Sequence, residues 1–182
     1  RSMRDEGGEE HRSGTAGAWR QAFLRMPYWR DPAVGNGLIM DTFETATTWD
    51  KFEAYYKGVR KDVAQAVQQA TGHPAFVSCR FTHIYPDGPA PYFTIAALGS
   101  AQGDVASALA AWREIKLAAN EAVIKHGGTI THHHAVGRDH RPGYEQETPA
   151  LYRQMLQAAK ASVDPQGILN PGVLIDPRDR QV

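Results

Sequence analysis

Two long amphipathic segments constrain the fold of this chain more than any other feature of its sequence. Over residues 52–70, apolar side chains recur every three or four positions, which predicts a helix that Gly72 ends. This stripe consists of Phe52, Tyr56, Val59, Val63, Val67 and Ala70. A second stripe with helical spacing consists of Val105, Leu109, Trp112, Ile115, Ala119 and Val123. Each stripe has to pack against another layer of structure.

The sequence around these helices has the pattern of strands. Strands are predicted within residues 37–47, 74–88, 91–99 and 129–134. In the second of them, Val77, Cys79 and Phe81 alternate onto one face, which makes Cys79 a small buried hydrophobe. The turn at 86–89 joins the second strand to the third as a hairpin. A third helix is predicted after its cap at Thr148, with an inner face made of Leu151, Met155 and Ala159.

The order strand, helix, hairpin, helix, strand, helix predicts an α+β fold, in which helices cover a largely antiparallel sheet. Residues 1–15 are polar and are expected to form a disordered linker before one domain at 16–182. The 182 residues carry no net charge, so binding to nucleic acid is not expected. No apolar run reaches the roughly 20 residues of a membrane helix, and the single cysteine fits a reducing, cytoplasmic environment.

The run His132-His133-His134 is the clearest chemical signal in the sequence. If it lies on a strand, the side chains of His132 and His134 share one face and that of His133 points to the other. Histidine is the usual group for proton transfer near neutral pH. A metal held by His132 and His134 ranks below acid–base chemistry, because the sequence shows no further ligands at a familiar zinc spacing. The alternative to a functional cluster is that three histidines lie by chance on a surface strand.

For each of the other candidate residues, a structural role is the alternative to a functional one. Tyr92 lies in a strand, where a tyrosine can transfer protons or simply pack. Arg30 and Arg80 can each bind an anion, whereas Arg30 can instead pair with Asp31 on the surface. The loop that contains Arg138 suits an anionic or planar ligand, or is a solvated turn. The sequence contains no glycine-rich loop of the kinds that bind nucleotide phosphates.

Several motifs, taken in order, resemble one family. The motifs are PYWRD, DTFETATTWDKF, SCRFTHIYPDGPAPYF, GGTITHHHAVGR and VDPQGILNPGVLI. They resemble the C-terminal part of FAD-linked oxidases of the vanillyl-alcohol-oxidase superfamily, and most closely its alkyldihydroxyacetonephosphate synthase branch. The resemblance covers residues 16–176 and implies a ferredoxin-like cap, or substrate-binding, domain. The three histidines favour the synthase branch, because oxidase relatives usually have Gly-Glu-His at those positions.

The resemblance also implies roles for individual residues. In such synthases a fatty alcohol replaces the acyl chain of acyl-dihydroxyacetonephosphate, with FAD as the cofactor and no net oxidation. Tyr92 and the three histidines are then the catalytic residues, and no metal is expected. Arg30 and, more weakly, Arg80 bind the substrate phosphate. Asn170 and Arg138 lie beside the flavin.

The resemblance implies partners as well. FAD is held mainly by an N-terminal domain that these residues do not match, so the isolated chain is expected to be inactive and to bind FAD weakly. The substrate is a small lipid, and contact with a membrane surface and homodimerisation stay open. Oxidation of a 2-hydroxy acid or a phenol by the same cofactor is the alternative activity. A free-standing ligand-binding module with a histidine metal site is a further alternative.

Overall fold

The computed structural model describes residues 18, 21–22, 24–99 and 104–177, so the expected linker at 1–15 lies outside the described residues. Among the described residues, eight elements follow one another: α1 (Pro27–Gly35), β1 (Leu38–Glu44), α2 (Trp49–Thr71), β2 (Phe76–Ile84), β3 (Pro89–Leu98), α3 (Val105–Lys125), α4 (Arg141–Glu147) and α5 (Ala150–Val163). The predicted α+β class is confirmed: five helices accompany a three-stranded antiparallel sheet.

The sheet has the strand order β1-β3-β2, so β3 lies in the centre. The predicted hairpin joins β2 to β3, and its turn is closed by the amide of Tyr85, which donates to the carbonyl of Gly88 at 2.9 Å. Strand β1 pairs with the other edge of β3, which sets Glu44 opposite Tyr92 and Thr42 opposite Thr94. Residues opposite each other in antiparallel strands share a face, so these four side chains lie on one side of the sheet.

The core lies on the other side of the sheet, under α2 and α3. Phe43 and Phe93 stack there with ring centroids 4.8 Å apart. Residues from both predicted helix stripes pack on this face. Tyr55 of α2 is also fully enclosed, although the predicted stripe did not include it. The first turns of α3 leave Val105 and Leu109 exposed, so that end of the second stripe was predicted incorrectly. Helix α3 begins after Asp104, whose carboxylate accepts a hydrogen bond from the amide of Ser107.

A β-bulge in β2 reverses the alternation of side chains near the end of the strand. Phe81 lies opposite Pro91, but His83 lies opposite Ala90, so Thr82 is an additional residue. Without the bulge, His83 would share the core face with Phe81. With it, His83 lies on the same side of the sheet as Tyr92.

The predicted strand at residues 129–134 does not form. Only Thr129 makes a bridge, to Ala46, and the three histidines follow in a bent segment. The amides of His132, His133 and His134 all donate to the carboxylate of Glu44. They are therefore not available for the hydrogen bonds of a sheet, and the expected alternation of the histidines does not apply.

The third helix also differs from its prediction. The segment expected to be a loop contains α4, and Thr148 caps the C-terminal end of that helix. Helix α5 begins after Pro149 and buries none of its residues, with Leu151 69% and Met155 64% exposed. Periodicity identifies a face that can be buried, but here α2 and α3 already cover the sheet. None of the described helices is long and apolar enough to cross a membrane.

Candidate active site on the open face of the sheet

Glu44, the last residue of β1, organises the site. Its side chain is 0% exposed, and its Oε2 accepts the amides of His132 and His133 at 2.8 Å each and that of His134 at 3.4 Å. Nδ1 of His132 lies 2.7 Å from Oε1, and Nδ1 of His133 lies 3.0 Å from the same atom. One buried carboxylate thus fixes both the backbone and two of the rings of the histidine run.

The surroundings of Glu44 keep it ionised. Burial favours the protonated form, but the hydrogen bonds from the amides of His133 and His132, together with the charge of His133, outweigh it and lower the pKa of Glu44 below its ordinary value. An ionised carboxylate can only accept hydrogen bonds. In the neutral imidazole, this contact places the proton of His132 on Nδ1 and leaves Nε2 as an acceptor.

The other nitrogen of His132 faces a tyrosine from the hairpin. The hydroxyl of Tyr85 lies 3.0 Å from Nε2 of His132 and donates to it, since Nε2 carries no proton. The ring of Tyr85 stacks on His83 with an interplanar angle of 1° and a centroid separation of 5.8 Å. His83 in turn contacts the rings of both His132 and His133. The bulge in β2 is what brings His83 and Tyr85 to this side of the sheet.

Three histidines come close enough to be considered as metal ligands. The ring nitrogens of His83, His132 and His133 lie within 4.8 Å of one another. This grouping differs from the pair His132 and His134 that strand alternation suggested. Both nitrogens of His132 are already engaged, one by Glu44 and the other by Tyr85. A metal would have to displace the tyrosine before it gained its third ligand.

Tyr92 lies beside this cluster but has different partners. Its hydroxyl donates to Oγ1 of Thr42 at 3.0 Å, its ring meets His134 edge-on at 5.4 Å, and the guanidinium of Arg80 lies 4.5 Å from its centroid. Burial, followed by the charge of His133, lowers the pKa of His134, so this ring favours its neutral form. The structure therefore brings Tyr92, Arg80 and the three histidines together, as the candidate set required.

A buried polar column on α3 supports the site from the opposite side of β1. Lys116 donates to the carbonyl of Thr42 at 2.9 Å and lies 3.1 Å from Asp41, which also accepts the indole N–H of Trp112. One turn further along α3, Asn120 donates to the carbonyl of Asp139. The column fixes the end of β1 relative to the loop that follows the histidines.

The two residues expected beside the flavin lie in a separate cluster. The guanidinium of Arg138 donates to the carbonyl of Pro171 at 2.9 Å, which ties its loop to the Asn170-Pro171-Gly172 turn. Asn170 is exposed and has a positive φ of 49°. Arg30, the expected phosphate ligand, lies on α1, and its side chain is outside the described part of the chain.

Sequence reasoning missed four residues of this site: Glu44, His83, Tyr85 and Lys116. Glu44 is a single acid at the end of a strand of β-forming residues, and its partners lie 88 to 90 positions away. His83 and Tyr85 are part of one of the motifs that carried the family resemblance, but plain alternation assigns His83 to the core. Only the bulge, which no local signal marks, brings them into the site.

Comparison with known proteins identifies the family of this chain. Residues 4–174 match the family described as "FAD linked oxidases, C-terminal domain". An alkyldihydroxyacetonephosphate synthase of Caenorhabditis elegans is 31% identical over 152 residues, which cover 83% of this chain and 25% of that protein. The synthase of Trypanosoma brucei brucei is 28% identical over 157 residues, which cover 86% and 25%. The chain thus spans about a quarter of the length of these relatives.

A solved structure of an alkyldihydroxyacetonephosphate synthase shares the fold. It superimposes with a TM-score of 0.55 at 19% sequence identity, over 85% of this chain and 23% of that one. The predicted family resemblance and fold class are confirmed. With a family match over nearly all of its length, the chain belongs to the FAD linked oxidases, C-terminal domain, and is related to alkyldihydroxyacetonephosphate synthases.

Proposed function

We propose that this chain is the substrate-binding and catalytic part of an FAD-dependent alkylglycerone-phosphate synthase. In that reaction a fatty alcohol replaces the fatty acid of acyl-dihydroxyacetonephosphate, which yields the ether-linked alkyl compound and a free fatty acid. The observation that supports it best is the histidine run itself, whose three amides and two of whose rings are held by the buried Glu44. Such a cluster suits proton transfer at a carbon next to a carbonyl group.

Each group on the open face has a proposed task. His133 and His134 border the carbon that loses a proton, and His134 is kept neutral there by burial. Tyr92 contacts the same carbon while its hydroxyl stays aligned by Thr42. Arg80 is exposed above the Tyr92 ring, where its guanidinium can bind the phosphate of the substrate. Arg30 remains a second proposed phosphate ligand.

The side chains on the open face suit the planar ring system of FAD but not its diphosphate. Imidazole and phenol edges line the open face and can border a planar ring system. A diphosphate needs a run of free amides at a glycine-rich loop, and the amides of the histidine segment are already taken by Glu44. When bound, FAD would supply an electron-accepting ring beside the reacting carbon. Asn170 and Arg138 are proposed to border it.

A separate FAD-binding domain is therefore the proposed partner, and lipid is the proposed substrate. Purified alone, the 182-residue chain is expected to carry no stoichiometric flavin and to catalyse no transfer. Absorbance at flavin wavelengths in the purified chain, measured against protein concentration, tests this. Near-equimolar flavin would contradict the proposal that FAD is held mainly by a separate domain.

The activity itself is tested with labelled fatty alcohol and acyl-dihydroxyacetonephosphate on the FAD-loaded protein, meaning this chain together with its proposed FAD-binding domain and bound FAD. We expect label in the ether product, and a loss of about 100-fold or more in kcat for His133→Ala and for Tyr92→Phe. His126→Ala is the matched control, because His126, at the C-terminal end of α3, pairs with Asp62 of α2. Bleaching of the flavin by a 2-hydroxy acid, without any transfer of alcohol, would favour the oxidase alternative instead.

A further inference from the structure

We propose that Tyr85, His132 and Glu44 form a proton relay, in which Tyr85 is a further catalytic residue that exchanges a proton with the bound substrate. The three groups lie in line: Glu44 Oε1 is 2.7 Å from Nδ1 of His132, and Nε2 of His132 is 3.0 Å from the hydroxyl of Tyr85. A carboxylate, an imidazole and a hydroxyl in this order are the parts by which proteins activate a hydroxyl group. The inference rests on the proposed function for its substrate but not for its geometry.

Glu44, at the buried end of the relay, sets the direction in which the proton moves. Glu44 is fully enclosed and accepts backbone amides through its other oxygen, so its position does not depend on solvent. It fixes the proton of His132 on Nδ1, which leaves Nε2 ready to accept a proton from Tyr85. The positive charge that then forms on His132 lies against the carboxylate of Glu44, which stabilises it.

The outer end of the relay is held as firmly as the inner end. The amide of Tyr85 donates to Gly88, and its carbonyl accepts the indole N–H of Trp49 at 3.0 Å. Its ring is stacked on His83. The residue is nevertheless 40% exposed, so a ligand on the open face can reach its hydroxyl. Tyr85 is thus fixed without being covered.

The two tyrosines of the site differ in the group that accepts the hydrogen bond from their hydroxyl. The hydroxyl of Tyr92 donates to Thr42, a neutral hydroxyl, whereas that of Tyr85 donates to an imidazole backed by a carboxylate. Only the second arrangement can remove the phenolic proton. We therefore assign the relay to Tyr85, while Tyr92 keeps its proposed contact with the reacting carbon.

The transfer conserves protons and charge. A proton from an acidic C–H or O–H group of the substrate moves to the oxygen of Tyr85, while the phenolic proton moves to Nε2 of His132. Tyr85 ends neutral, the substrate keeps the electron pair and gains one negative charge, and His132 gains one positive charge beside Glu44. The reverse movement returns the proton to the product.

The first test is spectroscopic and needs no substrate. In ¹⁵N-histidine-labelled protein, the nitrogen signals of His132 should report a proton on Nδ1. Tyr85→Phe keeps the stacked ring and should preserve that tautomer, but it should shift the Nε2 signal to that of an acceptor with no donor. Tyr56→Phe, which changes a tyrosine on the core face of the sheet, should leave the signal unchanged. A proton on Nε2 in the wild type, or no shift in Tyr85→Phe, would overturn the relay.

The second test is kinetic and uses the FAD-loaded protein with whichever substrate it turns over, by alkyl transfer or by oxidation of a hydroxy acid. Tyr85→Phe should lower kcat about 100-fold and change KM little. Glu44→Gln should give a similar loss, and the double variant should lose no more than either single one, because both interrupt one relay. If Glu44→Gln does not fold, His132→Gln takes its place.

The outcomes separate the two proposals. A protein that oxidises a hydroxy acid but transfers no alcohol refutes the synthase activity, while the effect of Tyr85→Phe on its kcat still tests the relay. A kcat for Tyr85→Phe within about threefold of wild type overturns the relay, since general acid–base groups contribute 100-fold or more. If this chain, together with the FAD-binding domain and bound FAD, turns over neither substrate, both proposals are overturned.

Discussion

The ammonium of Lys116 lies 3.1 Å from the carboxylate of Asp41 and joins α3 to β1 beneath the site. Both partners are largely removed from solvent, and the same carboxylate accepts the indole N–H of Trp112. A buried carboxylate that loses its cation is left with an uncompensated charge. The pair therefore matters more to stability than an ion pair on the surface does.

Replacing Lys116 should destabilise the fold severely. We expect Lys116→Met to lower the free energy of unfolding by about 3 kcal/mol, because it leaves Asp41 charged and half-buried. Lys57→Met is the control, since it breaks an ion pair with Glu53 whose two partners are both exposed, and should cost far less. Urea unfolding monitored by circular dichroism measures both values. Equal losses in the two variants would contradict the burial argument.

Acid should destabilise the protein in two steps. Burial and the charge of Lys116 lower the pKa of His140, and burial and the charge of His133 lower that of His134, both from 6.5. The unfolded chain then binds more protons than the folded one, so stability is complete above pH 6.5 and declines as the pH falls toward the folded pKa values. Glu44, whose pKa is also lowered, adds a second loss below its ordinary value of 4.5.

The histidine contribution is isolated by substitution. His140→Gln should flatten the decline in unfolding free energy between pH 7 and pH 5, while His73→Gln, which removes an exposed imidazole, should not. Unfolding by urea at a series of pH values gives the two slopes. A steeper decline in His140→Gln than in the wild type would show that the sign of the argument is wrong.

The hairpin turn should not tolerate a side chain at Gly88. A Cβ there would overlap the backbone carbonyl of Thr47, which cannot move aside as a side chain can. We expect Gly88→Ala to cost about 2 kcal/mol and to disturb the position of Tyr85, whose amide is bonded to Gly88. Gly35→Ala is the matched control, because nothing lies within 4 Å of the added Cβ. That variant should be neutral or slightly stabilised in thermal unfolding.

Zinc should bind more tightly to the Tyr85→Phe variant than to the wild type. The substitution frees Nε2 of His132, which can then join His83 and His133, whose ring nitrogens already lie within 4.8 Å of it and of each other. Isothermal titration with ZnCl₂ compares the two proteins, and Tyr56→Phe serves as the control. Equal affinity in all three would mean that the tyrosine does not compete for His132.

The sequence predicted those elements that local physics determines. The apolar stripes of α2 and α3 repeat every three or four residues, so the periodicity of one sequence detects them. Residue type alone identified the histidines and Tyr92 as candidates, and the structure places them near one another. The geometry was not, because Glu44 meets the histidines across 88 or more positions and replaces the expected strand with a bent segment. Long-range hydrogen bonds of this kind leave no periodic trace.

The bulge at Thr82 lets β2 hold one additional residue without changing which of its later side chains face the site. Removing Thr82 would place His83 directly after Phe81 and still opposite Ala90, so plain alternation would keep His83 on the side of Tyr92. Tyr85 would keep the ring on which it stacks. In related proteins, a strand that is one codon shorter at this position could therefore present the same site residues.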